Sequence, residues 1–188
     1  MELVSEAIEF AVKAHDGMRR KKSDVPYIMH PMEVGAIVST MTDNQEVIAA
    51  SVLHDVVEDA GVALEEIGEN FGNRVMMLVA SETENKRDDL PPEDTWRIRK
   101  EESLEKLKNA EDEGVLMMWL GDKLSNIRSI YRDFKVEGEG VWKNFHQSDA
   151  NVQAWYYRSI MKYTERLSGT EAWNEYKALV EQLFGKED

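Results

Sequence analysis

Apolar positions recur at helical spacing along almost the whole chain, and no segment shows the strict alternation of a half-buried strand. From 3 to 16, Val4, Ala7, Ile8, Ala11 and Val12 line one face. A second helix is expected over 31–41, opened by Pro31, whose fixed φ suits a first helical turn. Asp43 with Glu46 opens a third, in which Ile48, Ala49, Ala50, Val52, Leu53, Val56 and Val57 fill a broad apolar side. Gly61 and Gly72 punctuate short helices over 64–70 and 73–81, and Pro91-Pro92 starts another reaching about Ala110. Three more follow over 114–132, 149–167 and 170–184. The pattern predicts an all-α, multi-helix bundle without internal repeats.

Two of these helices carry polar groups where the pattern demands burial. On the third, His54, Asp55, Glu58 and Asp59 share the arc left by the apolar side, His54 one turn from Glu58 and Asp55 one turn from Asp59. Further on, Asp122 directly follows the apolar run Val115–Leu120, and Asn126, Ser129 and Asp133 continue a polar row from it. Taken singly, the first strip reads as a solvated helix face, Asp122 as half of an internal ion pair, and His30, beside Pro31, as a helix cap. Taken together, two imidazoles and two aspartates form a mixed nitrogen and oxygen shell suited to Mn, Fe or Zn. Glu58 and Asp59 are then placed to activate water, which points to a hydrolase.

Composition narrows this. The 188 residues suffice for one domain with a sizeable core, expected over 1–188 with a core at 3–133 and C-terminal helices at 149–184 packed on it. With no cysteine, disulfides and thiolate metal sites are excluded. The first residues lack a basic then apolar leader, and no apolar run approaches the roughly 20 residues that span a bilayer, so a soluble cytoplasmic protein is expected. The formal net charge of −14 disfavours nucleic acid and anionic membranes as partners. A phosphorylated substrate must therefore be held by a local positive spot, of which Arg19-Arg20-Lys21-Lys22 is the clearest.

Other segments are given blander roles. Ser81 to Asp94 is expected to be a mobile connection, and Trp96 to Lys100 a helix face with a core tryptophan, outside the site. Trp155-Tyr156-Tyr157 and Trp173 with Tyr176 are assigned to the core or a subunit contact, which leaves a homodimer open. His15 and His146 are expected at the surface.

The order His30, His54-Asp55, Asp122 resembles the metal signature of HD-domain phosphohydrolases. More narrowly, Arg20-Lys21, the run Pro26 to Pro31, Leu53 to Asp59, Phe71-Gly72 and Asp122 to Arg128 resemble the hydrolase domain of RelA/SpoT proteins, over about residues 3–133. Trp142 and Trp155-Tyr156-Tyr157 are similar to small stand-alone members. The resemblance implies an HD-domain bundle and hydrolysis of guanosine 3′,5′-bis(diphosphate) and its pentaphosphate relative at the 3′ position, releasing pyrophosphate. It implies one Mn²⁺ on His30, His54, Asp55 and Asp122, water activation by Glu58 and Asp59, and nucleotide binding by Arg20, Lys21 and Asn126. Two alternatives remain: an HD phosphohydrolase for another phosphorylated nucleotide, such as NADPH or a nucleoside monophosphate, and a non-catalytic helical sensor or partner-binding protein.

Overall fold

A computed structural model describes residues 2–21, 23–85, 87 and 89–186. Lys22 of the basic cluster, and Lys86 and Asp88 of the 81–94 connection, lie outside the described residues. Among the described residues nine α-helices follow one another: α1 (Leu3–Ala14), α2 (Met29–Val38), α3 (Gln45–Leu53), α4 (Leu64–Phe71), α5 (Asn73–Glu82), α6 (Pro92–Lys108), α7 (Glu113–Glu137), α8 (Ala150–Tyr163) and α9 (Glu171–Phe184). Short 3-10 segments, Gly138–Asn144 and Glu165–Leu167, bracket α8. Among the described residues the only extended pairing is an isolated bridge between Arg19 and Pro26, so the chain is all-α. No described helix is long and apolar enough to cross a membrane.

Several boundaries differ from the sequence expectation for local reasons. The cap of α3 is Asn44, not Asp43: its side chain accepts from the backbone N–H of Glu46 at 3.0 Å and of Val47 at 3.3 Å, satisfying two donors the helix leaves open. The same helix stops at Leu53, and His54 to Ala60 continue as turns, with Val56 N–H bonded to Leu53 O at 3.1 Å and Asp59 N–H to Asp55 O at 2.8 Å. The expected continuous strip of four titratable groups is therefore broken at its first member. In α2, helical geometry starts two residues before Pro31, so His30 is the second helical residue and not a cap. Gly72, at φ 90°, joins α4 to α5 by a single residue, in backbone that side chains with a Cβ rarely adopt.

Burial divides into two apolar clusters that meet on α7. One gathers Ala7 and Ala11 of α1, Val34 and Val38 of α2, most of α3, Ile67, Phe71, Val75, Leu78 and Val79. The other gathers Trp96, Leu104 and Leu107 of α6 with Trp142, Tyr156, Tyr157, Ile160, Trp173, Tyr176 and Leu183. Met118 belongs to the first, Leu116, Trp119, Leu120, Leu124 and Ile127 to the second, so α7 presents a different face to each. Trp96, Tyr156, Tyr157, Trp173 and Tyr176 are buried in the second cluster, where T-shaped contacts join Trp96 to Tyr156 and Tyr156 to Tyr157.

The helix that carries His30 is clamped by two glycine contacts. A Cβ on Gly35 would lie 2.6 Å from Val52 Cγ2 of α3, and one on Gly121 of α7 would lie 2.8 Å from Val38 Cγ2 of α2. Gly35→Ala and Gly121→Ala should each lower stability in denaturant titrations, because overpacking of about 1–3 kcal/mol outweighs a helix-propensity gain of about 1 kcal/mol.

Candidate active site

Three separate stretches of backbone bring the four proposed ligands to one point. His30 comes from the first turn of α2, His54 and Asp55 from the turn that ends α3, and Asp122 from the middle of α7. His30 Nε2 lies 3.0 Å from Asp122 Oδ1 and 3.5 Å from Asp55 Oδ2. His54 Nε2 lies 3.0 Å from Asp55 Oδ2 and 3.8 Å from Asp122 Oδ1. Ligand atoms of His30, His54 and Asp122 all fall within 4.8 Å of one another, and all three residues are buried.

The back of each ring is already occupied, which fixes what its front can do. His54 Nδ1 lies 2.7 Å from the Ser51 carbonyl, which can only accept, so Nδ1 carries the proton and Nε2 turns to the site. That Nε2 is buried and makes no hydrogen bond, with Asp55 Oδ2 3.0 Å away. A buried nitrogen without a hydrogen-bond partner, facing two carboxylates and a second imidazole, fits a cation shared between them. The donor set is that of a divalent transition metal.

Charges around this point are strongly interdependent. Burial alone would raise the Asp122 carboxyl, but the ammonium of Lys123, then His30 and His54, hold it well below the usual range. Burial likewise opposes ionisation of Asp55, and His54 overcomes it. Burial would lower the His54 imidazole, yet Asp55, Asp122 and Glu82 keep it at about 10. Glu82 loses the contest: burial, with Asp122 beside it, pushes its carboxyl up to about 8.

These groups line a polar cavity of about 140 Å³. Arg20, Tyr27, Glu58, Glu84, Lys100, Trp119, Lys123 and Asn126 complete its wall. Arg20 Nη2 approaches Asn126 Oδ1 at 3.4 Å, and Asn126 donates to Asp122 Oδ1 at 2.6 Å. Glu58 faces the cavity, its Oε2 accepting from the Glu84 backbone N–H at 3.3 Å. Asp59 does not: it is exposed, and its Oδ2 lies 2.7 Å from the Tyr27 hydroxyl, which also lies 2.7 Å from Asp55 Oδ2. Lys21 is exposed and absent from the wall. Of the nine residues singled out from sequence, seven thus meet at the cavity and two, Asp59 and Lys21, stand outside it.

The cavity also holds groups that sequence reasoning passed over. Lys100, assigned to a bland helix face, sends Nζ to Glu84 Oε1 at 2.6 Å, and Arg99 and Ser103 bind the same carboxylate at 3.0 and 3.1 Å. No periodicity marks Glu82 or Glu84, since both lie at or past the end of α5. Lys123 could have been found from its place beside Asp122, with which it forms an ion pair. His15, expected at the surface, is only 3% exposed and packs on the Tyr27 ring at 5.0 Å between centroids, and burial lowers its pKa. His146 is exposed.

Glu82 makes the pH behaviour of this centre testable. Its carboxyl titrates higher in the folded chain than at the ordinary 4.5, so the stability contributed by its neutral form is complete below pH 4.5 and drains away as pH rises through about 8. In denaturant titrations of chelator-treated protein, Glu82→Gln should gain on the wild type across that window and hold a constant lead above it.

A family model described as HD domain matches residues 7–148. Over 69% of its length the chain is 35% identical to a guanosine-3′,5′-bis(diphosphate) 3′-pyrophosphohydrolase of Aquifex aeolicus, and over 68% it is 35% identical to a GTP pyrophosphokinase rsh of Brucella ovis. It spans only 18% and 17% of those two relatives. The crystal structure of lmo0812 from Listeria monocytogenes EGD-e superposes with a TM-score of 0.72 at 32% identity, covering 84% of this chain and 99% of that one. A metazoan ortholog of SpoT, which hydrolyses ppGpp, shares the fold with a TM-score of 0.78 at 22% identity, over 99% of this chain and 98% of its own. The matched span takes in α2, α3 and α7 with all four converging side chains, and the chain belongs to the HD-domain family.

Proposed function

We propose that the chain hydrolyses guanosine 3′,5′-bis(diphosphate), and its pentaphosphate relative, at the 3′ position, releasing pyrophosphate with the aid of one Mn²⁺. The observation that carries this reading is the meeting of two back-bonded imidazoles and two carboxylates at one point of a cavity that also presents Arg20, Lys100 and Lys123. The similarity to a 3′-pyrophosphohydrolase supports the choice of substrate.

His30, His54, Asp55 and Asp122 would hold the cation. When bound it supplies Lewis acidity toward water and phosphoryl oxygen and offsets the negative charge that develops there. Glu58 is the side chain placed to take a proton from the attacking water, because it faces the cavity and the Glu84 amide fixes one of its oxygens. Water oxygen bonds to the phosphorus attached to O3′ as its proton passes to Glu58, the P–O3′ bond breaks, O3′ leaves as the ribose hydroxyl with a proton from Glu58 or solvent, and the phosphorus departs as part of pyrophosphate. Asp59 is better read as an anchor for Tyr27, which in turn touches Asp55.

Cavity size supports entry of the 3′ diphosphate end of the substrate. At about 140 Å³ it is well short of the roughly 300–1,000 Å³ that encloses a drug-sized ligand, so a diphosphate fits and the nucleoside stays at the mouth. Arg20 lines the cavity with its guanidinium 5.6 Å from the Tyr27 ring centroid, and its planar face would stack on the purine. Arg20, Lys100 and Lys123 are the cationic side chains of the wall that would meet the phosphates, although Glu84 and Asp122 already pair with the two lysines and carboxylates outnumber cations there, so the bound metal would have to supply the rest of the positive charge.

The test is a panel of guanosine polyphosphates, NADPH and nucleoside monophosphates incubated with the Mn²⁺-loaded protein. Pyrophosphate released from the guanosine 3′ end is expected; phosphate released from NADPH or a monophosphate instead would overturn the assignment. Glu58→Gln should cut turnover by about 10²- to 10⁴-fold with Mn²⁺ uptake intact, whereas Asp59→Asn should cost much less. Chelation should abolish turnover, Mn²⁺ should restore it, and His54→Ala should lose metal uptake in calorimetry.

A further inference from the structure

The His30 imidazole is held from behind by a line of side chains that crosses the molecule. Its Nδ1 lies 2.8 Å from Ser125 Oγ, and Ser125 donates its own proton to Glu33 Oε2 at 2.8 Å. A hydroxyl that donates to a carboxylate offers only lone pairs to the ring, so a neutral His30 carries its proton on Nδ1 and points a bare Nε2 at Asp122. The other oxygen of Glu33 accepts from Arg128 Nη1 at 3.0 Å. Arg128 turns its remaining edge to Glu175 of α9, with Nε 2.7 Å from Oε1 and Nη2 2.5 Å from Oε2. Such a two-pronged pair fixes direction as well as charge.

The two histidines are thus oriented by different means. His54 leans on a backbone carbonyl, which no side-chain substitution removes, whereas His30 leans on Ser125, and Ser125 owes its direction to Glu33. Glu175 also lies beyond residues 7–148, the span matched by the HD-domain model.

We propose that Ser125 and Glu33 are positioning residues that set the orientation and lone-pair nitrogen of His30, and that Arg128 and Glu175 extend this constraint to α9, so that metal affinity depends on the C-terminal helix. The inference rests on the reading that the site holds a divalent cation. Ligand orientation by such outer partners governs affinity in metal sites, where their loss typically costs about 10- to 100-fold.

The experiment is calorimetric titration of the full chain with Mn²⁺, using variants whose circular dichroism matches wild type. Ser125→Ala and Glu33→Ala should each weaken binding by about 10- to 100-fold. Glu33→Gln keeps an acceptor without its charge and should fall between, and Glu175→Gln should show a smaller loss in the same direction. The Ser125→Ala, Glu33→Ala double variant should bind no more weakly than the worse single one, because both cut the same line. Arg166→Gln, which breaks only the surface pair with Glu113, should bind as wild type does. Wild-type affinity in Glu33→Ala, or full additivity in the double variant, overturns the proposal, and Glu33, at 31% side-chain exposure, keeps the test open should Ser125→Ala not fold. If the wild type itself takes up no Mn²⁺, the metal reading fails separately. The line is then decided by ¹⁵N spectra of His30, expected to show a protonated Nδ1 in wild type and loss of that proton in Glu33→Ala; an unchanged Nδ1 sinks it.

Discussion

Asp122 is a carboxylate 5% exposed in the middle of the longest helix, and the chemistry of the site follows from the need to compensate it. Removing such an ion from water costs several kcal/mol even after relaxation, so its neighbours must return that energy as charge and hydrogen bonds. Lys123 supplies the first counter-charge, Asn126 a donor and His30 an imidazole edge. Yet Asp55, Glu58, Glu82 and Glu84 crowd the same cavity, and Glu82 responds by rising to about 8. A divalent cation held between the imidazoles and the two aspartates, as proposed above, would complete the balance that the side chains leave short.

Geometry at that point depends on the close packing of α2. Its two neighbours, α3 and α7, approach it through Gly35 and Gly121, and each carries or borders side chains that converge on the cavity. Sub-ångström placement of reacting groups is worth orders of magnitude in rate, so a helix wedged on both sides suits a ligand-bearing role better than a loop would. Because α7 joins both apolar clusters, the C-terminal helices also bear on the position of Asp122 and Ser125.

Legibility in the sequence tracked the range of the interactions involved. Helix existence and order were readable because α1, α4 and α9 bury one face each and their periodicity survives in the chain. Ends were less so: Asn44 displaced Asp43 as a cap because its oxygen reaches two amides at once, and α3 stopped at Leu53 although the apolar pattern ran on to Val57. His30, His54, Asp55 and Asp122 were visible because each is a charged or ligating group set among apolar neighbours. Lys100, Glu82 and Glu84 carry no such mark, since charged residues on a helix face or in a connection look alike whether they meet solvent or a cavity. His15 was misplaced for the converse reason: a lone histidine past a helix end gives no sign that a tyrosine ring will cover it.

What the chain itself determined was the all-α class, the succession of amphipathic segments and which histidine and aspartate side chains of metal-ligating type stand among apolar neighbours, because all three are written in residue type and short-range spacing. Tertiary structure alone decided which polar groups share the cavity, that Glu58 faces it while Asp59 and Lys21 do not, and that a line from Glu175 reaches His30. Those outcomes depend on contacts between residues as far apart as α2 and α7, whose mutual distance is set by side-chain packing and leaves no periodic trace along the backbone.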